Sequence, residues 1–296
     1  MSIRLEDLVI VSYDESVDLF LLQLKTLNVF LEKCTIHLVI NEDEIKYFYR
    51  KVKPALAKSK HDFIVYGRKS IIGHIDGLLG WHSQQLIKLS MPIEGRYLIL
   101  DDKDLLVKPL TLKDLDAAHT MTYTPVMVGD PPFDVFLPFF KKCKRLIKTR
   151  NRPMKYSPKI IDMPINWTPA VIEQDVVEDI LQCFAGKHYR SSDDIKRNFA
   201  NWMFSGLADP KGGQPAEFML YDLFRAQLKG PRKKFPGNFI AWAWDYKEFL
   251  KLSNTGIKEN THIVKIHHNV YRDKNCKPSV DAMIDAIIDE HNYASC

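Results

Sequence analysis

The sequence lacks the features of disulfide-stabilised and membrane-spanning proteins. Its five cysteines are odd in number, and no two of them have the close spacing of a zinc or redox motif. The first eight residues lack the apolar core of a signal peptide. Polar residues interrupt the leucine-rich stretch 19–31, which is too short to cross a bilayer. We therefore expect a cytoplasmic protein with reduced thiols and no transmembrane segment.

The motifs of several common enzyme classes are also missing. No glycine-rich loop ends in Lys-Ser or Lys-Thr, and no Gly-x-Gly-x-x-Gly follows the first predicted strand, which removes the simplest kinase and dehydrogenase assignments. Neither His-Glu-x-x-His nor Gly-x-Ser-x-Gly occurs, which removes the simplest zinc protease and hydrolase assignments. No internal repeat is visible, so we predict one continuous domain over residues 1–296. Its nucleotide-binding half would cover 1–110, and its acceptor-side half, with C-terminal helices, would cover 111–296.

Positive charge is not concentrated in any one region. The formal net charge of +5 is spread along the sequence, with short basic runs at 141–145 and 232–234. Because a basic stripe is typical of nucleic-acid-binding proteins, we expect no nucleic-acid partner. A mildly basic surface suits anionic ligands such as pyrophosphates, and a peripheral contact with an anionic membrane stays open.

Strand and helix patterns alternate over the first hundred residues. Short runs predict strands at residues 8–13, 35–40, 62–66 and 96–100; the first is apolar enough to be buried, and the last is the clearest central strand. Between the first two, apolar residues from Phe20 to Leu31 recur at i, i+4, i+7 and i+11, one face of a helix. The alternation predicts an α/β fold with a mostly parallel sheet flanked by helices.

The second half gives a less regular pattern. Helical segments are predicted at 174–185, 191–204, 215–227 and 280–291, and a late strand at 262–268. The many prolines between residues 121 and 170 predict strands joined by long loops there.

An acidic cluster directly follows the strand at 96–100. The segment Asp101-Asp102-Lys103-Asp104 places hard oxygen ligands at a strand end. A Mg²⁺ or Mn²⁺ ion held there can bridge protein and diphosphate and assist departure of a nucleoside diphosphate. The alternative is an acidic turn that only caps the next element.

A predicted helix at 81–90 carries a second group of candidate binding residues. Trp81, Gln84, Gln85 and Lys88 fall at i, i+3, i+4 and i+7 and share one face. This stripe can contact a sugar, a base or a phosphate. The alternative is an ordinary solvent-facing surface.

Single residues elsewhere are further candidates. Tyr13, at the carboxyl end of the first strand, can stack on a nucleobase, since open α/β sheets bind ligands at that edge. Glu217 and Asp222 can serve as an acceptor base or contact, and His267 or His268 can meet a metal or a phosphate. Each of them also fits a solvated or partly exposed structural role.

Four segments together resemble a known family. They are Ile10-Val11-Ser12-Tyr13-Asp14, the Gly-Trp-x-x-Gln-Gln-x-x-Lys-Leu helix at 80–89, the strand and acidic cluster at 97–104, and Glu217-Phe218-Met219-Leu220-Tyr221. In this order, over residues 8–225, they resemble a poorly characterised family of bacterial and viral glycosyltransferase-like proteins with a GT-A fold.

The resemblance implies a Rossmann-like GT-A domain with a nucleotide-sugar donor, often a uridine one. The sugar would pass to a hydroxyl acceptor on a glycan or a related molecule. Donor contacts would come from Tyr13, Asp14, Trp81, Gln84, Gln85, Lys88, Asp101, Asp102 and Lys103. Glu217 or Asp222 would be the catalytic residue facing the acceptor, and the metal would be held by Asp102, Asp104 and His268.

Lys103 leaves the metal dependence open. If the Asp-x-Asp motif of such enzymes starts at Asp101, Lys103 replaces its second acid, and an ammonium does part of the charge neutralisation. If the motif starts at Asp102, then Asp104 completes it. Both carboxylates then project to the same side of an extended segment and can hold Mn²⁺ or Mg²⁺.

Two other functions are compatible with the sequence. A sugar-nucleotidyltransferase shares the sheet but normally needs a glycine- and arginine-rich loop after the first strand, which residues 12–16 do not supply. A catalytically degenerate module would bind a nucleotide or a glycan without turnover, and Lys103 at an acid position is compatible with it.

Overall fold

The computed structural model describes residues 6–41, 45–75, 80–117, 131–150, 155, 168–185, 191–205, 215–230 and 239–294. These residues divide into two units. The described residues of 68–97 and 118–234 belong to the first unit, and the described residues of 5–67, 98–117 and 235–296 belong to the second. None of the described helices combines the length and the apolar character needed to cross a membrane.

Parallel strands form the main sheet of the second unit. β1 (Asp7–Ser12), β2 (Thr35–Ile40) and β3 (Asp62–Gly67) pair in parallel, with Ile10 opposite Leu38 and Leu38 opposite Val65. β4 (Arg96–Asp101), which ends in this unit, lies beside β1. The apolar runs of β1, β2 and β4 lie in the core, whereas β3 has no buried residue and its Ile64 is 44% exposed. The predicted α/β class, with a mostly parallel sheet flanked by helices, is confirmed.

Helices of the second unit pack around its strands. A 3₁₀ turn (Asp14–Ser16) leads from β1 into α1 (Val17–Phe30), whose predicted apolar face is buried. α1 packs against two other helices, α2 (Lys46–Leu56) and α12 (Lys277–Ala294). The remaining helices are α5 (Leu112–Ala117), α10 (Tyr246–Thr255) and α11 (His268–Arg272).

A smaller sheet in the second unit has the strand order β5-β8-β7. Its strands are β5 (Asp104–Leu106), β7 (Ile240–Ala243) and β8 (Ile263–Ile266). β8 is antiparallel to β5 and parallel to β7, so Asp104 lies opposite Lys265, and Lys265 lies opposite Trp242. This row brings a carboxylate, an ammonium and an indole together from three distant parts of the sequence.

The first unit is mainly helical. It contains α3 (Arg68–Ile72), α4 (Trp81–Lys88), α6 (Pro131–Lys148), α7 (Gln174–Gln182), α8 (Ser192–Phe204) and α9 (Glu217–Lys229). Its strand β6 (Ala170–Glu173) pairs with β4, whose first residues, Arg96 and Tyr97, belong to this unit. α9 is buried on most sides and packs against α4, α6 and α7.

The prediction of strands and long loops between residues 121 and 170 is wrong for 131–148, which form α6. Phe139, Cys143 and Leu146 are buried at i, i+4 and i+7, a helical spacing. Two of the prolines that suggested loops open this helix, where the first turn needs no N–H donor. The remaining residues of that segment lie largely outside the described ranges.

Candidate functional site

The acidic cluster is a tight turn between β4 and β5, two strands that belong to different sheets. Gln23 of α1 donates its side-chain amide to the carbonyl oxygens of Asp101 (2.5 Å) and Asp104 (3.0 Å). The backbone N–H of Asp101 donates to Asp104 Oδ2 at 2.8 Å. These bonds fix the turn, so its carboxylates have defined positions.

Asp102 is a buried acid at the carboxyl ends of β1 and β4 in the main sheet. Asp102 is only 3% exposed. Ser12, the last residue of β1, donates its hydroxyl to Asp102 Oδ2 at 3.0 Å. Loss of solvation raises the pKa of Asp102 from 3.8 to about 6, against the opposing effect of the nearby Lys103 charge. A carboxylate kept in such a place is a candidate for a functional role.

Two ammonium groups neutralise the other acids of the cluster. Lys265 Nζ lies 2.8 Å from Asp104 Oδ1 and 3.5 Å from Asp101 Oδ2. Lys103 Nζ also lies 3.5 Å from Asp101 Oδ2. Lys265 and Asp104 are both fully buried, so this ion pair is shielded from solvent.

A pocket opens beside these lysines. We call it the Trp–Lys pocket, and its lining residues are Lys103, Trp242, Ala243, Trp244, Lys265 and His267. The two indole rings stack on each other, with centroids 5.3 Å apart and planes 9° apart. Two stacked indole rings and two lysines that are paired with carboxylates therefore line one narrow pocket.

Tyr13 and His268 form a second contact close to the cluster. Tyr13 Oη and His268 Nε2 are 2.9 Å apart, and the rings meet edge to face. Burial, together with the Lys103 charge, lowers the pKa of His268 to about 4. Burial also raises the pKa of Tyr13. Both side chains are therefore uncharged at neutral pH. The predicted donor residue Asp14 is half-buried and opens the 3₁₀ turn that follows Tyr13.

The residues predicted to hold a divalent cation do not fit one as they are arranged. Asp104 is engaged by Lys265 and by a backbone N–H, Asp102 accepts from Ser12, and His268 contacts Tyr13. Across the described ranges, no group of three or more His, Cys, Asp or Glu side chains could hold a metal ion. The dependence on Mn²⁺ or Mg²⁺ stays a prediction.

The predicted stripe on α4 belongs to the first unit and is only partly exposed. Trp81 is 46% exposed and Gln84 is half-buried, but Gln85 and Lys88 are buried, so a simple solvent-facing stripe does not describe this helix. Lys88 Nζ lies 3.1 Å from Glu217 Oε1. Both amide atoms of Gln85 are buried and have no hydrogen-bond partner among the described residues.

Glu217 and Asp222, the two predicted catalytic acids, are both buried on α9. They are five positions apart, so they do not share one face of the helix. Lys88, predicted to meet a phosphate, is instead the ion-pair partner of Glu217 and lies 5.3 Å from the centre of the Phe218 ring. The roles of these residues stay predictions.

The sequence alone does not predict that Lys265, Trp242 and Trp244 lie beside the acidic cluster. A signal for each is present: Lys265 interrupts the apolar strand Ile263–Ile266, and Trp242-Ala243-Trp244 alternates as a strand does. Neither signal reveals which residues these side chains meet.

Comparison with known proteins gives a family and distant structural similarity. No curated protein sequence matches the chain. Among solved structures, it is similar to mouse xyloside xylosyltransferase 1, with 12% identity, a TM-score of 0.46, and coverage of 91% of this chain and 99% of that chain. GlyE of Streptococcus pneumoniae TIGR4 is 10% identical, with a TM-score of 0.47 and coverage of 98% of this chain. The match covers 64% of GlyE, so the chain spans less than two thirds of that protein. The galactosyltransferase LgtC, in complex with donor and acceptor sugar analogues, is 10% identical, with a TM-score of 0.44 and coverage of 96% of this chain and 95% of that chain.

Similarities of this degree carry no functional inference. The family match is more extensive. A family model described as a family of unknown function, DUF6492, matches residues 11–230, and the chain belongs to that family.

Proposed function

We propose that this protein is a glycosyltransferase that moves a sugar from a nucleoside diphospho-sugar, with uridine as the first nucleoside to test, to a hydroxyl acceptor on a glycan or related molecule. One observation carries the proposal. Buried and half-buried charged groups, Asp101, Asp102 and Lys103, gather at the ends of β1 and β4 beside Tyr13 and His268. This is the edge at which open α/β sheets bind ligands.

The groups present suit the two parts of such a donor. The carboxylates of Asp101 and Asp102 are acceptors for ribose or sugar hydroxyls, and Tyr13 supplies an aromatic face for the base. Lys103 supplies positive charge for the diphosphate.

In the proposed reaction, the bond between the anomeric carbon and the diphosphate oxygen breaks. The electron pair leaves with the nucleoside diphosphate, and the acceptor oxygen bonds to the anomeric carbon. The acceptor proton passes to a general base.

A binding module without turnover is the second candidate. It is favoured by the Asp104–Lys265 ion pair, because an acid that already has a buried counter-ion is less available to a ligand.

The experiment measures thermal stability with a panel of nucleotides and nucleotide-sugars, and then the release of nucleoside diphosphate. We expect stabilisation by intact donors, slow donor hydrolysis and faster turnover with acceptor. Asp101→Asn should lower turnover by about tenfold to a hundredfold, since one charge-assisted hydrogen bond contributes about 1.5–3 kcal/mol. The exposed Asp289 gives the matched control, Asp289→Asn, which should keep wild-type turnover. Binding without hydrolysis or transfer would favour the module, and a wild-type rate in Asp101→Asn would contradict the site.

A further inference from the structure

Lys265 is a buried cation in an otherwise apolar strand. It is 1% exposed, and the other residues of β8, Ile263, Val264 and Ile266, are buried apolar side chains. Moving an ammonium out of water is costly unless an anion faces it in the folded protein. The structure therefore has to supply a carboxylate beside Lys265.

The acidic turn supplies two. The antiparallel register of β5 and β8 sets Asp104 opposite Lys265, and Lys265 Nζ lies 2.8 Å from Asp104 Oδ1. The same Nζ lies 3.5 Å from Asp101 Oδ2. It also lies 4.9 Å from the centre of the Trp242 ring, a contact that favours a cation. One ammonium thus bridges the two carboxylates.

A divalent cation at Asp104 would need oxygen atoms that are already engaged. Such ions bind carboxylate oxygens directly, at about 2.0–2.1 Å for Mg²⁺. Asp104 Oδ1 faces Lys265, and Asp104 Oδ2 accepts the backbone N–H of Asp101. Because Asp104 is fully buried, an ion could reach it only by displacing a buried ammonium that repels it.

We propose that Lys265 is the resident cation of the acidic turn, where it bridges Asp101 and Asp104, so that Asp104 is its counter-ion and not a metal ligand. The two acids of the Asp102-Lys103-Asp104 segment then have different tasks. Asp102 stays at the carboxyl ends of β1 and β4, and Asp104 anchors the turn to β8. This division of tasks is independent of the proposed function.

The test is a double-variant cycle on the full chain. Wild type, Lys265→Met, Asp104→Asn and the variant with both changes are unfolded by heat in three conditions: a chelator, Mn²⁺, and Mn²⁺ with uridine diphosphate. Asparagine removes the charge of Asp104 but keeps an oxygen for the backbone N–H of Asp101. Lys251→Met, at an exposed lysine of α10, is the matched control.

We expect Lys265→Met to unfold about 5 °C or more below wild type, because it leaves a buried carboxylate without its partner. Lys251→Met should unfold at the wild-type temperature. Asp104→Asn should lower the midpoint of wild type but raise that of Lys265→Met, since the double variant retains neither buried charge. If Lys265→Met does not fold, recovery of a folded protein by adding Asp104→Asn is the same result.

The metal arm needs only wild type and Asp104→Asn. The loss caused by Asp104→Asn should be equal in the three conditions, and a Mn²⁺ effect of the same size in both proteins also leaves Asp104 out of any metal site. A rise in the wild-type midpoint with Mn²⁺ that disappears in Asp104→Asn would overturn the proposal. So would single losses that simply add in the double variant.

Failure of the proposed function gives a different result. If neither uridine diphosphate nor its sugar conjugates stabilise the protein or are turned over, the glycosyltransferase proposal is contradicted. The midpoints in chelator, which report the pairing of Lys265 with Asp104, do not depend on that outcome.

Discussion

Replacing Asp102 with asparagine should make the protein more stable and less active at the same time. The pKa of this buried acid is raised from 3.8 to about 6, mainly by loss of solvation. One pKa unit corresponds to about 1.4 kcal/mol. A charged Asp102 therefore costs the folded state about 3 kcal/mol above pH 6, a cost that asparagine avoids while keeping the shape of the side chain.

The pH dependence has a definite sign. Because its folded pKa is higher than its unfolded pKa, the folded protein holds the Asp102 proton more tightly than the unfolded chain does. The contribution of Asp102 to the free energy of unfolding therefore falls as the pH rises from about 4 to above 6. Relative to wild type, Asp102→Asn should be more stable by about 1 kcal/mol at pH 4.5 and by about 3 kcal/mol at pH 7.5.

Urea unfolding of both proteins at the two pH values measures this difference. Asp289→Asn, at an exposed site, should show no such pH-dependent gain. An equal difference at pH 4.5 and pH 7.5, or an asparagine variant that is less stable at pH 7.5, would refute the account of Asp102. In the same preparations, Asp102→Asn should lose donor turnover. Full activity would mean that the carboxylate has no role in the reaction.

Two further predictions concern the other charged contacts. Lys88→Met should lower the free energy of unfolding by about 3–5 kcal/mol, because it leaves Glu217 without the partner that lies 3.1 Å away. The double variant Lys88→Met/Glu217→Leu should recover most of that loss. If urea unfolding shows that the losses of the single variants Lys88→Met and Glu217→Leu add up in the double variant, the pairing is contradicted. By NMR, the His268 ring, assigned from its absence in His268→Asn, should titrate near pH 4. A midpoint near 6.5 would show that burial does not hold the ring neutral.

Local sequence patterns were sufficient to predict the strands β1 to β4 of the main sheet and the position of the acidic cluster. The runs that became β1 and β2 are continuous and apolar, and such runs form core strands whatever their distant partners are. Composition misled at α6, where prolines at a helix start have the same local signature as prolines in loops.

The Trp–Lys pocket could not be predicted because it depends on strand register. Lys265 and Asp101 are 164 positions apart, and only the pairing of β8 with both β5 and β7 makes them neighbours. Sequence shows that a lysine interrupts an apolar strand, but not that a carboxylate and an indole flank it. Partners set by pairing between distant strands are not encoded in any local window.

The amide of Gln23 has a consequence for how this turn can be altered or transplanted. It joins the carbonyl oxygens at both ends of the acidic turn to the middle of α1. The four-residue motif therefore takes its shape from a helix that precedes it by many residues. Moving the motif alone into another scaffold would transfer its charges but not its geometry, and shifting α1 would displace the carboxylates without touching their sequence.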